Sequence, residues 1–178
     1  KNERKALALA DRVIWTTEET KKAYESAYPY YKDKFVTIPC GYNPIEKNSI
    51  DIVNNSKDQQ FFFSYIGTAY KMTRNIQPVI EAIISMNGSN DIDKGRAFIF
   101  KAVGPVSNKF VKNIPDHEKE NIHFTGHVNY ATSCVEISEK VDVLAFIGNR
   151  GGLQIPAKLY QYLHANKPIL FCTQDESD

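Results

Sequence analysis

The stretch Val141-Asp142-Val143-Leu144-Ala145-Phe146-Ile147 runs straight into Gly148-Asn149-Arg150-Gly151-Gly152 and then Leu153-Gln154-Ile155-Pro156-Ala157-Lys158. Its first part is short, β-rich and almost continuously apolar, which suits a strand buried on both faces of a parallel sheet. Three glycines in five residues then free the backbone to turn. Pro156 suits the first position of a helix over residues 155–165. Strand, glycine-rich loop and helix make one βα unit, and the unit recurs. Similar apolar runs lie at residues 61–66, 97–103, 122–125 and 168–172. Between the first two, Ile76, Val79, Ile80, Ile83 and Ile84 fall at helical spacing. Pro78 is tolerated only in a first turn, which puts that helix start near Asn75. A further helix is expected over 129–140. Five strands joined by helical crossovers imply an α/β fold with a Rossmann-like, doubly wound parallel sheet.

Upstream the pattern changes. Residues 3–10 read as a helix, 12–16 as a strand, and Thr16-Thr17-Glu18-Glu19 has capping-box spacing ahead of a helix to about Tyr28. A second short strand, 35–38, is stopped by Pro39. The polar stretch 46–60, with Asn54-Asn55-Ser56 inside it, reads as a solvated connector. The expected division is therefore 1–44, the end of a preceding domain and the crossover, and 45–178, a second domain truncated at its C-terminus. A sheet does not normally begin with two isolated strands, and the chain stops about six residues after its last strand. The expectation is an internal piece of a longer two-domain protein.

Composition narrows the class. The chain of 178 residues is 42% hydrophobic and 24% charged, enough for a core without disulfide staples. A net charge of +1 decides neither for nor against nucleic acid or membrane, and no motif suggests a nucleic-acid partner. No apolar run approaches the roughly 18 residues of a membrane span. The three cysteines, Cys40, Cys134 and Cys172, form no CxxC pair, which argues against a zinc site or a disulfide framework. Cys172 reads as a small buried hydrophobe. A reducing, cytoplasmic compartment is expected.

In such sheets ligands bind beyond the carboxyl ends of the strands. After the first run come Gly67-Thr68-Ala69-Tyr70-Lys71-Met72-Thr73-Arg74, a tight turn with two cations near a helix start. That suits a diphosphate; the plainer reading is a βα turn with exposed basic residues. Gly104-Pro105 and Gly126-His127-Val128 end the next two strands, where glycine admits a planar base or merely marks a turn. His127 reads equally as a surface or capping histidine. The amides of 148–152 offer donors to phosphate. Lys158 and Gln161 share a helix face, with Leu159, Tyr160, Tyr162 and Leu163 mostly core. No GxSxG, HExxH, Walker or GxGxxG pattern competes.

Taken in order, these segments resemble the GT-B glycosyltransferases of the family 4 type. Leu9-Ala10-Asp11-Arg12-Val13-Ile14-Trp15-Thr16-Thr17 and Ile38-Pro39-Cys40-Gly41-Tyr42-Asn43 are similar to that family's crossing between its two domains. Tyr65-Ile66-Gly67-Thr68 with Arg74, Val103-Gly104-Pro105, Phe124-Thr125-Gly126-His127-Val128 and Asp142-Val143-Leu144 follow in family order. Gly152-Leu153-Gln154-Ile155-Pro156-Ala157-Lys158-Leu159-Tyr160-Gln161-Tyr162-Leu163, ending Lys167-Pro168-Ile169-Leu170, resembles its donor-site helix.

The resemblance implies metal-independent transfer of a sugar from a nucleotide diphosphate, UDP- or GDP-linked, with retained anomeric configuration and no further cofactor. It assigns Gly67, Thr68, Arg74, Gly151, Gly152 and Lys158 to the diphosphate. Gly104, His127, Val128 and Gln161 fall to the base and ribose; no catalytic residue is assigned. The acceptor, a glycan or lipid-linked glycan, would meet a preceding domain, and the whole enzyme would sit in the cytoplasm or peripherally at the inner membrane face. Two features depart from the family. Where it carries two glutamates separated by seven residues, the second position is Gln161 and the first falls near Gly152-Leu153, with no carboxylate. A nucleotide-sugar epimerase and a catalytically silent nucleotide-binding module are the alternatives.

Overall fold

The structure, a computed structural model, describes residues 2–43, 60–70, 74–89, 96–148 and 153–173. The opening unit holds α1 (Asn2–Leu9), β1 (Val13–Trp15), α2 (Glu18–Ala27), a 3₁₀ stretch (Pro29–Lys34) and β2 (Phe35–Thr37). The two strands pair in parallel, Val13 with Phe35 and Trp15 with Thr37. Their core is aromatic: the Trp15 ring lies 3.9 Å from Tyr24 and 5.8 Å, edge-on, from Phe35. Lys34 Nζ reaches the carbonyls of Leu7, Ala8 and Ala10 and so satisfies the end of α1. The α2 cap is one residue later than the capping-box spacing suggests. Thr17, not Thr16, accepts from the N3 amide, which belongs to Thr20 rather than Glu19. The reason lies outside the helix. Thr17 and Thr20 hydroxyls both close on the Leu153 carbonyl, at 2.5 and 2.6 Å, and tie the opening unit to the loop before the last helix.

The second unit is the expected α/β sheet. Its strands are β3 (Gln60–Ile66), β4 (Ala97–Val103), β5 (Ile122–Gly126), β6 (Val143–Ile147) and β7 (Ile169–Cys172). All pairings are parallel, in the order β5-β4-β3-β6-β7. The helices are α3 (Gln77–Gly88), α4 (Asn108–Val111), α5 (Tyr130–Ser138) and α6 (Lys158–Ala165). Side chains of each strand alternate between two cores, as the pleat requires. Tyr65, Phe100, Ala145 and Ile147 pack with Ile80 and Ile83 of α3 and with Ile76, its N-cap, on one face. Ile66, Val103, Leu144 and Phe146 pack with Ile137 of α5 and Tyr162 of α6 on the other. Apolar continuity in the strands thus has the two-sided burial that it implied.

Several boundaries differ from the sequence reading. The last helix starts at Lys158, with Ala157 as cap, so Pro156 precedes it instead of filling N1. Leu163 is 62% exposed, on the outer side of α6, and not core. Cys172 is only half-buried, because β7 is an edge strand. Two short turns of helix, α4 and Asp116–Glu118, stand between β4 and β5 where no helix is expected. A charged pair also lies on the α5 face: partly buried Lys101 of β4 meets buried Glu136 at 2.6 Å. The proposed boundary at residues 44 and 45 lies outside the described residues.

Gly104 is where the fold depends on the absence of a side chain. Its φ is +131°, and a Cβ there would stand 2.4 Å from the Gly67 carbonyl oxygen. Backbone cannot give way cheaply, so Gly104→Ala is expected to cost about 3 kcal/mol from strain and overpacking combined. Gly88, in α3, has nothing within 4 Å of an added Cβ. Gly88→Ala should stabilise by roughly 0.5–1 kcal/mol. Urea midpoints of the two variants, moving in opposite directions from the parent, check both.

Candidate functional site

Strand order reverses between β3 and β6, since β3 leads through α3 to β4 on one side and β6 through α6 to β7 on the other. A crevice forms at the carboxyl ends of such a pair. Here it is a cavity of about 240 Å³. Its walls are Tyr65 and Ile66 at the end of β3, Phe146 and Ile147 at the end of β6, and Pro156, Ala157, Lys158 and Tyr162 at the start of α6. Arg74, from the segment leading into α3, completes it. The volume is below the roughly 300–1,000 Å³ of sites that enclose a whole drug-sized ligand, so the cavity takes one end of a ligand.

Two cations and no carboxylate are among these lining residues. Lys158 is half-buried, and desolvation holds its ammonium below the usual lysine range. Its Nζ also lies 5.9 Å from the centre of the Tyr130 ring. Arg74 is held by Tyr65, whose hydroxyl accepts from the guanidinium and donates to the Thr68 carbonyl at 2.9 Å. Burial, the larger effect, raises the Tyr65 phenol despite the nearby charge. A rim of fixed positive charge around an apolar floor suits a small polyanion such as a diphosphate.

The remaining expected residues distribute unevenly. Gly67 and Thr68 stand beside the cavity, in the turn that leaves β3. Gln161 is buried one turn along α6 from Lys158, and its Nε2 donates to the Tyr130 hydroxyl at 3.0 Å. Lys158 and Gln161 therefore do share a face, and Tyr130 covers both. Among the described residues the Gln161 Oε1 has no partner. Gly104 faces the Gly67 carbonyl in a close backbone approach and bridges to Gly126, whose φ of +69° favours glycine although nothing lies within 4 Å of an added Cβ. His127 is exposed, and Val128 packs at the edge of the α5–α6 core; neither lines the cavity. Gly151, Gly152 and Lys71 lie outside the described residues. Tyr65, Tyr130 and Tyr162 are the residues that the sequence reading missed. Their signal was faint: a tyrosine in place of an aliphatic residue, in an apolar pattern that needs no hydroxyl.

No family model and no curated protein matches the chain. Solved structures do. One is WaaG, a glycosyltransferase involved in lipopolysaccharide biosynthesis, with 17% identity and a TM-score of 0.66 over 90% of this chain and 44% of that one. Another is the apo form of WaaB, a lipopolysaccharide outer core galactosyltransferase, with 14% identity and a TM-score of 0.53 over 98% of this chain and 47% of that one. The chain thus spans less than half the length of either. At these identities the likeness concerns the fold alone, a Rossmann-like parallel α/β sheet that matches these GT-B structures.

The Lys158 ammonium gives the site a measurable signature. Its folded-state pKa lies below its unfolded value, so at neutral pH, with both states charged, folding carries the full burial penalty. Above the folded pKa the neutral amine no longer carries that penalty. Lys158→Met should therefore have a higher urea midpoint than the parent at pH 7, and the difference should shrink as pH rises toward the unfolded lysine value. The same variant should bind inorganic pyrophosphate about tenfold more weakly by calorimetry, one charge-assisted contact being lost.

Proposed function

We propose that the chain is the donor-binding part of a retaining glycosyltransferase of the family 4 type, which moves a sugar from a nucleotide diphosphate to an acceptor. One observation carries this reading. The crevice at the strand-order reversal brings two cations, Arg74 and Lys158, from opposite sides of the chain to the carboxyl ends of β3 and β6, and no carboxylate is among its described lining residues. A nucleotide sugar supplies a diphosphate, and the diphosphate is also the leaving group. Fixed cations and amides that stabilise the charge developing on it lower the barrier to transfer, without requiring a metal ion. Gly67 and Thr68 would border the phosphates, and Gly151 and Gly152 would present amides to them. The base and ribose would lie toward Gly104, His127, Val128 and Gln161.

Gln161 fits a ribose as a neutral partner. Its amide is already oriented by Tyr130, which leaves the carbonyl oxygen to accept from a sugar hydroxyl. The same residue favours one second reading, a nucleotide-binding module without turnover, since a carboxylate would hold hydroxyls more strongly. An epimerase would need carboxylates and a histidine at the cavity; the described lining has neither. The acceptor, a glycan or lipid-linked glycan, would be held by a preceding domain, and the chain alone would bind donor without transferring it. We place the whole enzyme in the cytoplasm or peripherally at the inner membrane face. Among the described residues no helix is long and apolar enough to cross a membrane.

Calorimetric titration with UDP, GDP and ADP tests the reading. One of the three should bind saturably, and Arg74→Ala should weaken it about tenfold or more. Binding of none of them, or binding indifferent to Arg74→Ala, would overturn it.

A further inference from the structure

Strand β3 presents successive N–H groups to opposite neighbours. The Gly67 N–H reaches the Val103 carbonyl of β4 at 2.9 Å, so the Ile66 N–H points the other way, toward β6. Pairing with β6 has already ended, its last partners being Ser64 and Leu144. The Ile66 N–H donates instead to the Tyr162 hydroxyl, at 2.8 Å. That contact uses the hydroxyl as an acceptor and leaves its own proton to be given away.

Tyr162 is 1% exposed and lines the cavity between Arg74 and Lys158. Among the described residues nothing accepts its proton. Burial pushes the phenol far above the usual tyrosine range, so the proton stays on at neutral pH. A buried donor without an acceptor is unfavourable, and a ligand offering acceptors removes the cost. Arg74 and Lys158 are donors only. A ligand end that faces these donors has only to accept, and phosphoryl oxygen meets that requirement.

We propose that the Tyr162 hydroxyl is a ligand-binding group that donates its proton to a phosphoryl oxygen of the diphosphate held between Arg74 and Lys158. This rests on the donor-site reading above and adds a residue to it. The contact completes a chain from the Ile66 N–H through the Tyr162 O–H to the phosphoryl oxygen. Hydrogen bonds in such a chain polarise and strengthen one another. Anion binding thereby tightens the Ile66–Tyr162 bond and clamps the start of α6 to the end of β3.

The test compares the 178-residue chain with Tyr162→Phe, titrated by calorimetry with inorganic pyrophosphate and with the bare nucleoside of the base that the parent prefers. Pyrophosphate affinity should fall about tenfold, as for a lost hydrogen bond to a charged group, with nucleoside affinity unchanged. A merely structural role would weaken both ligands together, because Tyr162→Phe also orphans the Ile66 N–H; that outcome overturns the proposal. Undiminished pyrophosphate binding overturns it too and leaves the donor site standing. Failure of the parent to bind pyrophosphate removes both. A second measurement needs no variant: in the parent, pyrophosphate should slow hydrogen exchange at the Ile66 amide several-fold, and an unchanged rate contradicts the proposed chain.

Discussion

The parting of β3 from β6 is the constraint on which the rest of the second unit depends. The two strands are paired only at Phe63 with Val143 and Ser64 with Leu144. On its other side β3 stays paired with β4 through Ile66 and Val103. There the hydrogen bonding even continues beyond the glycines, from Gly67 to Val103, Ala69 to Pro105 and Ser107 to Ala69. The sheet therefore opens on one side of β3 alone. A gap in a parallel sheet exposes backbone groups that need partners. Tyr162 meets one of them from α6, and what it leaves open is the cavity.

That asymmetry explains why the polar side chains stand where they do. On the closed side, Gly67 and Gly104 allow β3 and β4 to run together past their ends, with no room for a Cβ at Gly104. The turn after Gly67 then brings Thr68 over Tyr65, and Tyr65 orients Arg74. On the open side, α6 delivers Lys158, Gln161 and Tyr162 from three of its five first positions. The opening unit acts on the same element from a distance. Thr17 and Thr20, both buried, grip the Leu153 carbonyl just before α6, and the Tyr42 ring lies 5.3 Å from His164 at its far end. Residues distant in sequence are thus fixed against one helix.

Much of this was legible in the amino-acid sequence because it is local or periodic. The five apolar runs, the isoleucine stripe of α3 and the Pro78 constraint each express one element's own geometry, and each corresponds to an observed strand or helix. Arg74 and Lys158 could be nominated because cations beside strand-end loops have few structural duties. What was not legible depends on pairing across the chain. Thr17 displaces Thr16 as cap because Leu153, far away in sequence, rewards it. The lack of room for a Cβ at Gly104 comes from the Gly67 carbonyl, which only the β3–β4 pairing brings there. Tyr162 looked like core because its ring is core; only the end of β3–β6 pairing turns its hydroxyl into a site feature. Lys101, an interruption in an apolar run, has its reason in Glu136 across the α5 interface.

The central claim is that the opening between β3 and β6 receives the diphosphate of a nucleotide. A crystal structure of the chain soaked with the nucleoside diphosphate that it prefers tests this most directly. The account predicts phosphate density between Arg74 and Lys158, within hydrogen-bond reach of both and of the Tyr162 hydroxyl. Density elsewhere would contradict it, for example in the recess of about 200 Å³ lined by Asn75, Glu81, Lys109 and Asn113. So would a fully soaked crystal with the β3–β6 opening empty.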